Sequence, residues 1–309
     1  MPKKPIVILG VFVADVAFRT PYNPPWGETV LGSAFKLGPG GKGSNQAVAA
    51  ARAGGEVSFI TKLGRDTFGD MARKMYADEK VDARFVVPDD INPTGAAAII
   101  VDEIKGDNAI IIYPGACSYL TIAEVDRARD LIAGASSFMT NLELPIPLVE
   151  HGLQLARGLG VTTILNPAPA RELPDELFPL VDYITPNESE AKGLTGIKVS
   201  NPAEAERAAD ALLELGVGNV LITLGEHGVL VKTPKLTERV PAISAGPVLE
   251  TTGAGDAFNG GFAVALAEGK DIVAAARFGC AVAGISVTRY GTAPSMPRRA
   301  EVDALLAKG

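Results

Sequence analysis

A short glycine-containing segment, Glu250-Thr-Thr-Gly-Ala-Gly-Asp256, carries the groups of this sequence that are best suited to chemistry. Gly253, Ala254 and Gly255 directly precede an apolar helical stretch, so their N–H groups can converge on an anion at the positive end of a helix. Asp256 falls in the first turn of that helix, where its carboxylate can accept a proton from a hydroxyl that attacks a phosphate. The alternative is a capped helix after a glycine loop, with Asp256 placed only for the helix dipole.

A second glycine-rich loop, residues 38–45, leads into an alanine-rich helical stretch over residues 44–52. The loop departs from a Walker loop because Gly43 separates Lys42 from Ser44. No Gly-x-Gly-x-x-Gly directly follows the first predicted strand, which argues against nicotinamide binding. Taken alone, the loop favours a tight turn that caps the helix.

The elements that must position these groups alternate between helical and strand patterns. The chain opens with a strand pattern over residues 5–13, and a second strand pattern follows the first helix at residues 57–63. Further on, helices are predicted at 121–133, 146–158, 202–215, 257–268 and 271–287, and strands at 137–142, 161–165, 183–185 and 220–224. This alternation predicts a three-layer α/β/α, Rossmann-like fold with a mostly parallel central sheet.

Two regions interrupt the predicted α/β core. Residues 15–38 are rich in Pro, Gly and aromatic residues, and a short extended piece is predicted near residues 29–35. Extended patterns at residues 94–101 and 109–113 flank the turn residues Gly106-Asp107-Asn108, which predicts a hairpin. We expect the two regions to pair as one small sheet.

Composition and charge exclude several classes of protein. The 309 residues are 47% hydrophobic and 21% charged, which is typical of a globular chain and not of a disordered one. The net charge of −7 provides no basic surface for nucleic acid or an anionic membrane. The apolar runs are too short to span a bilayer, and the first residues show no secretory signal pattern. With only two cysteines, Cys117 and Cys280, these features predict a cytoplasmic protein with reduced thiols.

The motifs together resemble those of the ribokinase family of carbohydrate kinases. Gly40-Gly-Lys-Gly-Ser-Asn-Gln-Ala-Val-Ala-Ala is similar to the first signature of the family, and Glu250-Thr-Thr-Gly-Ala-Gly-Asp-Ala-Phe-Asn-Gly is similar to the second. Two segments between them, Asn166-Pro-Ala-Pro-Ala-Arg-Glu-Leu-Pro and Ile184-Thr-Pro-Asn-Glu-Ser-Glu-Ala, also resemble the family. The resemblance implies one kinase domain over residues 1–309, with lid segments at about 13–37 and 94–113.

The resemblance implies a role for each phosphate-side motif. Asp256 matches the catalytic base, which deprotonates the primary hydroxyl of the sugar for in-line attack on the γ-phosphate of ATP. Residues 253–255 match the anion hole. Asn187 and Glu190 match an Asn-x-x-Glu motif that orders Mg²⁺ and its waters, a task suited to hard oxygen ligands. Without the family context, a helix cap followed by a solvated glutamate would explain these two residues.

The resemblance also implies substrate contacts and an assembly. The sugar-pocket positions of the family are matched by Val13, Asp15, Gly41, Lys42, Asn45, Glu143 and Asp256. Its nucleotide-binding positions are matched by Asn187, Thr223, Gly225, Gly228, Gly255 and Cys280. For Cys280 the simpler interpretation is a small buried hydrophobe. The lids of two subunits clasp in this family, which implies a homodimer.

Val13 departs from the family pattern. Ribokinases carry an asparagine two residues before the pocket aspartate, whereas deoxyribokinase-like relatives carry an apolar residue there. Valine cannot hydrogen-bond a sugar hydroxyl. Val13 therefore makes 2-deoxy-D-ribose an alternative substrate. Because the resemblance to ribokinases outside the pocket is close, we expect ATP-dependent phosphorylation of the 5-hydroxyl of D-ribose. Another carbohydrate or nucleoside kinase of the family and a noncatalytic sugar-sensing protein also stay open.

Glu250 is the second departure, because the family has an aspartate at this point in a loop that binds a monovalent cation. The resemblance implies a K⁺ site formed with Thr252, Ser286, Arg289, Gly291 and Ser295. Since glutamate is one methylene longer, two outcomes are open. K⁺ binds with altered geometry, or the carboxylate is satisfied by protein or water and the ion site stays empty.

Overall fold

The strands and helices are those of a computed structural model that describes residues 4–308, so the predicted domain over residues 1–309 extends past the described part at both ends. The strands are Ile6–Leu9 (β1), Val13–Thr20 (β2), Ala34–Gly40 (β3), Val57–Gly64 (β4), Val86–Asp89 (β5), Thr94–Asp102 (β6), Asn108–Gly115 (β7), Ser137–Asn141 (β8), Thr162–Asn166 (β9), Tyr183–Ile184 (β10), Asn219–Thr223 (β11), Val229–Thr233 (β12) and Leu236–Val240 (β13). The helices are Lys42–Arg52 (α1), Thr67–Asp78 (α2), Ile122–Asp126 (α3), Arg129–Ala133 (α4), Ile146–Gly158 (α5), Glu188–Thr195 (α6), Pro202–Glu214 (α7), Ala254–Ala267 (α8), Ile272–Ser286 (α9) and Arg299–Leu306 (α10).

A large sheet forms the centre of the fold. Within residues 4–308 it has nine strands in the order β13-β12-β11-β10-β9-β8-β1-β4-β5. From β11 to β5 in this order, neighbouring strands pair in parallel. At the other edge, β12 pairs antiparallel with β11, and β13 pairs antiparallel with β12. The central strands β1 and β8 are buried along their whole length, as expected for parallel strands that are covered on both faces.

Helices cover both faces of this sheet. Ile6 and Ile8 pack into the core that includes α1, α2, α8, α9 and α10, whereas Val7 and Leu9 pack into the core that includes α3 to α7. Successive side chains of a strand point to opposite faces, so one short apolar strand serves both cores. The structure confirms the predicted three-layer α/β/α fold.

The two interrupting regions form a separate four-stranded sheet in the order β3-β2-β6-β7. β6 and β7 are antiparallel neighbours, so the predicted hairpin is present. The extended piece predicted near residues 29–35 lies further along the chain, because the strand is β3, which begins at Ala34 and ends at Gly40. Pairing with β2 starts only where the N–H of Ser33 donates to the carbonyl oxygen of Arg19 at 2.9 Å.

The first predicted strand, residues 5–13, is in fact divided between the two sheets. β1 ends at Leu9, and β2 begins at Val13. Between them the backbone passes the start of α1 so closely that a Cβ on Gly10 would lie 2.7 Å from the Cα of Gly43. The apolar run is therefore interrupted at Gly10, the residue at which the chain passes the start of α1.

Other differences concern helices. The single helix predicted at 121–133 is divided into α3 and α4. The sequence patterns also do not predict α2, whose buried residues are only Gly69, Ala72 and Tyr76, a weak apolar repeat. Among the helices of residues 4–308, none is long and apolar enough to cross a membrane.

Candidate active site

A polar cavity of about 130 Å³ lies at the carboxyl ends of the parallel strands. β9 ends at Asn166 and β11 at Thr223, and both of these residues border the cavity. Open parallel sheets bind ligands outside the carboxyl ends of their strands. The cavity is lined by Lys42, Asn166, Ala168, Thr185, Asn187, Glu190, Thr223, Gly253, Gly255, Asp256 and Asn259.

Asp256 is the ionisable group with the most hydrogen-bond support in this cavity. It lies in the first turn of α8 and is 6% exposed. The amide nitrogen of Asn45 donates to one carboxylate oxygen and that of Gln46 to the other, each at 3.0 Å. α1 and α8 approach closely, since a Cβ on Gly260 would lie 2.6 Å from the Cβ of Ala49. The structure therefore brings the two glycine motifs together at one carboxylate.

The start of α8 presents backbone N–H groups to the cavity. Gly253 precedes the helix with a φ of 83°, a left-handed conformation that favours glycine. The N–H of Ala254 donates to the carbonyl oxygen of Thr251 at 3.1 Å, so the turn itself uses this donor. The N–H groups of Gly255 and Asp256 belong to the first helical turn, which has no helical acceptor for them. These two groups are the donors best placed for an anion.

Lys42 lies among several carboxylates. Burial opposes its charge, but Asp256, Glu143 and Glu190 raise the pKa of Lys42 overall. Burial raises the pKa of Asp256, although Lys42 and the two amide donors counteract this. Burial likewise raises the pKa of Glu143 to about 7 and that of Asp15 to about 6. A buried carboxylate with a raised pKa is well suited to accept a proton near neutral pH.

The predicted sugar-pocket positions surround the start of α1. Gly41 has a φ of 89°, and a Cβ there would lie 2.4 Å from the carbonyl oxygen of Val11, so this position requires glycine. The N–H of Lys42 donates to Oε2 of Glu143 at 2.8 Å. Asp15 acts electrostatically on Glu143, which raises the pKa of Glu143 further. The charges of Lys42 and Asp15 therefore both affect the protonation of Glu143.

Val13 and Asp15 project from the same face of β2, because strand side chains alternate. A Cβ on Gly40, in the neighbouring strand, would lie 2.3 Å from the Asp15 carboxylate. Val13 is 6% exposed and belongs to an apolar cluster that includes Ala97. The wall next to Asp15 is therefore apolar at position 13.

Asn187 and Glu190 form a capping box at the start of α6. Oδ1 of Asn187 accepts the N–H of Glu190 at 2.8 Å, and Oε2 of Glu190 accepts the N–H of Asn187 at 2.9 Å. The helix-cap interpretation is thus correct locally. Glu190 is only 8% exposed, however, and both side chains border the cavity. The interpretation of Glu190 as a solvated glutamate is therefore wrong.

Besides Asn187 and Gly255, the predicted nucleotide positions lie at the end of β11, in the turn that follows it and in α9. Thr223 ends β11 and borders the cavity, whereas Gly225 and Gly228 lie in the following turn, outside the lining. At Gly228, with φ of 86°, a Cβ would lie 2.1 Å from the carbonyl oxygen of Val240. Cys280 is buried in α9, and burial raises the pKa of its thiol to about 12.

Glu250 is joined to the segments that follow α9. Its Oε2 accepts the N–H of Gly291 at 2.8 Å, and its own N–H donates to the carbonyl oxygen of Val287 at 3.2 Å. The hydroxyls of Ser286 and Ser295 donate to carbonyl oxygens of their own turns, at 2.8 and 2.7 Å. Glu250 therefore already has one protein partner.

The remaining two positions of the predicted cation site differ in character. The guanidinium of Arg289 pairs with Glu301, so only the backbone carbonyl of Arg289 can face an ion. Thr252 lies in the exposed turn before α8. Oxygen atoms of carboxylate, hydroxyl and carbonyl groups are the ligand types that hard cations prefer.

Sequence reasoning missed several buried polar residues of the site. These are Gln46, which holds Asp256, and the lining residues Asn166, Thr185 and Asn259. Asn166 and Thr185 follow buried strand patterns, so the rule for the carboxyl ends of parallel strands could have identified them. Gln46 and Asn259 lie inside the two glycine motifs, but no local signal distinguishes them from residues that only pack.

Comparisons with known proteins agree with this geometry. Residues 3–299 match the family described as pfkB family carbohydrate kinase. The chain is 41% identical over 299 residues to the ribokinase of Haemophilus influenzae, covering 97% of both chains. It is 35% identical over 293 residues to the deoxyribokinase of Salmonella typhi, covering 94% of this chain and 95% of the relative. The structure of Arabidopsis thaliana ribokinase complexed with ribose and ATP matches with a TM-score of 0.92 at 30% identity, covering 98% of each chain.

The chain belongs to the pfkB family of carbohydrate kinases. This confirms the family indicated by the two glycine signatures. The match spans nearly the whole length of the chain and of its relatives, so it applies to the α/β core and the small sheet together.

Proposed function

We propose that this protein is an ATP-dependent kinase that phosphorylates the 5-hydroxyl of D-ribose and produces ribose 5-phosphate. The observation that carries the proposal is the buried carboxylate of Asp256, held by two amide donors beside the N–H groups that begin α8. A base and an anion site thus share one cavity. The similarity to a ribokinase, and to a ribokinase structure complexed with ribose and ATP, supports the choice of substrates.

The proposed reaction is a direct phosphoryl transfer. The carboxylate of Asp256 accepts the proton of the sugar hydroxyl as that oxygen attacks the γ-phosphorus of ATP. The bond from the γ-phosphorus to its bridging oxygen breaks, and ADP leaves. The N–H groups of Gly255 and Asp256 stabilise the charge of the transferring phosphoryl group, and the ammonium of Lys42 adds to this.

The sugar is proposed to bind between the small sheet and the start of α1, where Asp15, Asn45 and Glu143 face its hydroxyls. Oδ1 of Asn45 is buried and has no hydrogen-bond partner within residues 4–308. An unpaired buried acceptor is costly, and a sugar hydroxyl would satisfy it. Gly41 lets the turn before α1 pack against the backbone of Val11, which places Lys42 beside Glu143.

The nucleotide is proposed to extend from the anion site past Thr223 and the turn that contains Gly225 and Gly228, with its adenine near Cys280. Thr223 supports this path, because it borders the same cavity as Asp256. A Cβ on Gly225 would meet no atom within 4 Å, so the backbone is open there to a planar base or ribose, whereas Gly228 lets the turn pack against the backbone at Val240.

Asn187 and Glu190 suit Mg²⁺, because they provide hard oxygen donors at the cavity. Oδ1 of Asn187 and Oε2 of Glu190 already accept hydrogen bonds in the capping box, which favours contact through water over direct ligation. Mg²⁺ bound with ATP would neutralise part of the negative charge of the phosphates.

A monovalent cation, K⁺, is proposed near Glu250, with Thr252, Ser286, Arg289, Gly291 and Ser295 as its surroundings. The donor types fit such an ion, and the carboxylate of Glu250 lies against the loop at Gly291. Neutralising this carboxylate would hold the backbone that precedes the anion site in place. The ion is thus expected to act through preorganisation of Gly253 and the residues that follow it.

One observation favours a second substrate, 2-deoxy-D-ribose. Val13 shares the face of β2 with Asp15 and presents an apolar wall where a hydrogen-bonding side chain would recognise a hydroxyl. An apolar wall discriminates weakly against a sugar that lacks that hydroxyl. The similarity to a deoxyribokinase also supports this alternative.

A nucleotide-coupled assay over a panel of sugars tests the proposal. The panel contains D-ribose, 2-deoxy-D-ribose, a hexose and a nucleoside, and D-ribose is expected to have the highest kcat/KM. A higher value for 2-deoxy-D-ribose would favour the second substrate, and a higher value for the hexose or nucleoside would favour another kinase of the family. Binding of ribose without formation of ADP would favour a noncatalytic sugar-sensing protein.

We also propose that two copies of the chain associate through their lids. By the strand register, one face of the small sheet carries Phe18, Phe35 and Ile111, which are exposed by 43%, 60% and 72%. An apolar patch of this kind is typical of an interaction surface. Light scattering should show a dimer that Ile111→Glu dissociates, whereas Ile122→Glu, at an exposed isoleucine of α3, should leave it intact. A monomeric wild type would contradict this proposal.

A cytoplasmic location is the last part of the proposal. Cys117 and Cys280 are both free and buried. Unpaired cysteines are typical of a reducing compartment. Cell fractionation would test this, and recovery of the protein in an oxidising compartment would contradict it.

A further inference from the structure

Gln46 connects the base to a second buried polar side chain. It belongs to α1 and is fully buried. Its amide nitrogen donates to Oδ1 of Asp256 and to Oδ1 of Asn166, both at 3.0 Å. An amide group has two N–H donors, so each acceptor receives one of them.

From Asn166 the hydrogen bonds continue along the lining of the cavity to the start of α8. The amide nitrogen of Asn166 donates to the carbonyl oxygen of Thr185 at 3.1 Å, and the Thr185 hydroxyl donates to Oδ1 of Asn259 at 2.7 Å. The amide nitrogen of Asn259 then donates to the carbonyl oxygen of Gly255 at 2.8 Å. The base and the anion-binding turn therefore share one buried support.

The direction of these bonds is determined by groups that can only accept. The carbonyl oxygen of Thr185 accepts, so Asn166 must present its nitrogen there and its oxygen to Gln46. Gln46 must then present its nitrogen to Asn166, which directs the second N–H at Asp256. A protonated Asp256 could donate to Gln46 only if the amide of Gln46 turned over and set its oxygen against the oxygen of Asn166. The arrangement therefore favours the ionised form of Asp256, because two N–H donors bind a carboxylate more strongly than a neutral carboxyl group.

We propose that Gln46 is a positioning residue of the phosphoryl transfer, which holds one carboxylate oxygen of Asp256 in place and selects its ionised form. The inference rests on the proposed function, in which Asp256 is the base. Gln46 acts through Asp256, and the hydrogen bond of Asn45 to the other carboxylate oxygen completes the orientation.

Other charged groups also act on Asp256. α1 contributes Lys42, the turn after β8 contributes Glu143, and α6 contributes Glu190. A substitution at Gln46 leaves these three side chains unchanged. A difference in the titration of Asp256 between the wild type and a Gln46 variant therefore reports the lost hydrogen bond.

Gln46→Met tests the inference, because methionine has a similar volume and no N–H donor. Loss of orientation should lower kcat by about 10- to 100-fold, with little change in KM for either substrate. A hydrogen bond to a charged acceptor favours the charged form, so its loss should move the acidic limb of the kcat profile upward by about one to two pH units. A merely structural role would reduce the active fraction and leave this limb in place.

Tyr76→Phe is the matched control. The Tyr76 hydroxyl is hydrogen-bonded to the hydroxyl of Ser44 in α1 at 3.0 Å, and both side chains are buried. The substitution removes a buried hydrogen bond of the same helix without touching Asp256. We expect a lower melting temperature, an unchanged acidic limb and a kcat close to that of the wild type.

Two further measurements make the outcome decisive. If Gln46→Met does not fold, Gln46→Glu keeps the side-chain size and sets a second carboxylate against Asp256, so the acidic limb should move upward further. Titration of the Asp256 carboxyl carbon by ¹³C NMR, with the signal assigned by its loss in Asp256→Asn, does not depend on enzymatic activity.

Failure of the wild type to phosphorylate any sugar would contradict the proposed function, while the NMR comparison would still decide the role of Gln46. A folded Gln46 variant with wild-type kcat and an unshifted titration of Asp256 would overturn the inference.

Discussion

The assignment of Asp256 as the base can be tested by Asp256→Asn. Both carboxylate oxygens accept an amide N–H at 3.0 Å, whereas asparagine offers one oxygen, so its own NH₂ group must face Asn45 or Gln46. The variant keeps the size of the side chain and loses its basicity. General-base catalysis contributes roughly 10²- to 10⁴-fold, so kcat should fall by about that factor, which corresponds to about 2.7 to 5.4 kcal/mol.

The assay is a steady-state coupled measurement of ADP formation at saturating sugar and ATP, together with KM for both. Substrate affinities should change little, because the lost interaction is made in the transition state. Asp89→Asn is the control, since Asp89 is another buried carboxylate, which accepts hydrogen bonds from Ile91 and Asn92 and forms an ion pair with Lys62, all outside the cavity. It should lower the melting temperature and leave kcat unchanged. A folded Asp256→Asn enzyme that kept more than about a tenth of wild-type kcat would refute the assignment.

Three further predictions follow from the sugar pocket and the cation loop. Val13→Asn should shift the ratio of kcat/KM values toward D-ribose over 2-deoxy-D-ribose by about two- to tenfold, the worth of one neutral hydrogen bond, whereas Ile122→Asn, at an exposed position of α3, should not. An unchanged ratio in Val13→Asn would show that this side chain does not face the sugar. K⁺ should raise the rate above that in choline when ionic strength and Mg²⁺ concentration are held constant, and Glu250→Ala should remove this response. Equal rates in the two salts would mean that protein contacts alone satisfy Glu250. KM for the sugar should rise as the pH falls, because Glu143, with a pKa of about 7, and then Asp15, with a pKa of about 6, become protonated and are then weaker hydrogen-bond acceptors for the sugar hydroxyls. A KM independent of pH would contradict their contact with the sugar.

The sequence by itself determined the features that depend on neighbouring residues. The alternation of apolar strand and helix patterns predicts the α/β/α fold, because burial on one or both faces imposes a period on each element. The glycines at 253 and 255 followed by Asp256 predict a carboxylate beside the N–H groups of a helix start, because all of these atoms lie within one turn. The same local logic predicts a helix cap at Asn187, and a capping box with Glu190 is present, whereas a role of these two residues at the phosphates is implied only by the family resemblance.

Only the tertiary structure decided which distant groups meet and how deeply they are buried. Gln46 reaches Asp256 across 210 residues of chain, and Glu143 reaches Lys42 across 101. These contacts depend on the close approach of α1 and α8 at Gly260 and on the order of the parallel strands, neither of which a local pattern contains. The raised pKa values of Asp15 and Glu143 arise from the same packing, since desolvation is a property of the whole environment of a side chain and not of its neighbours in the sequence.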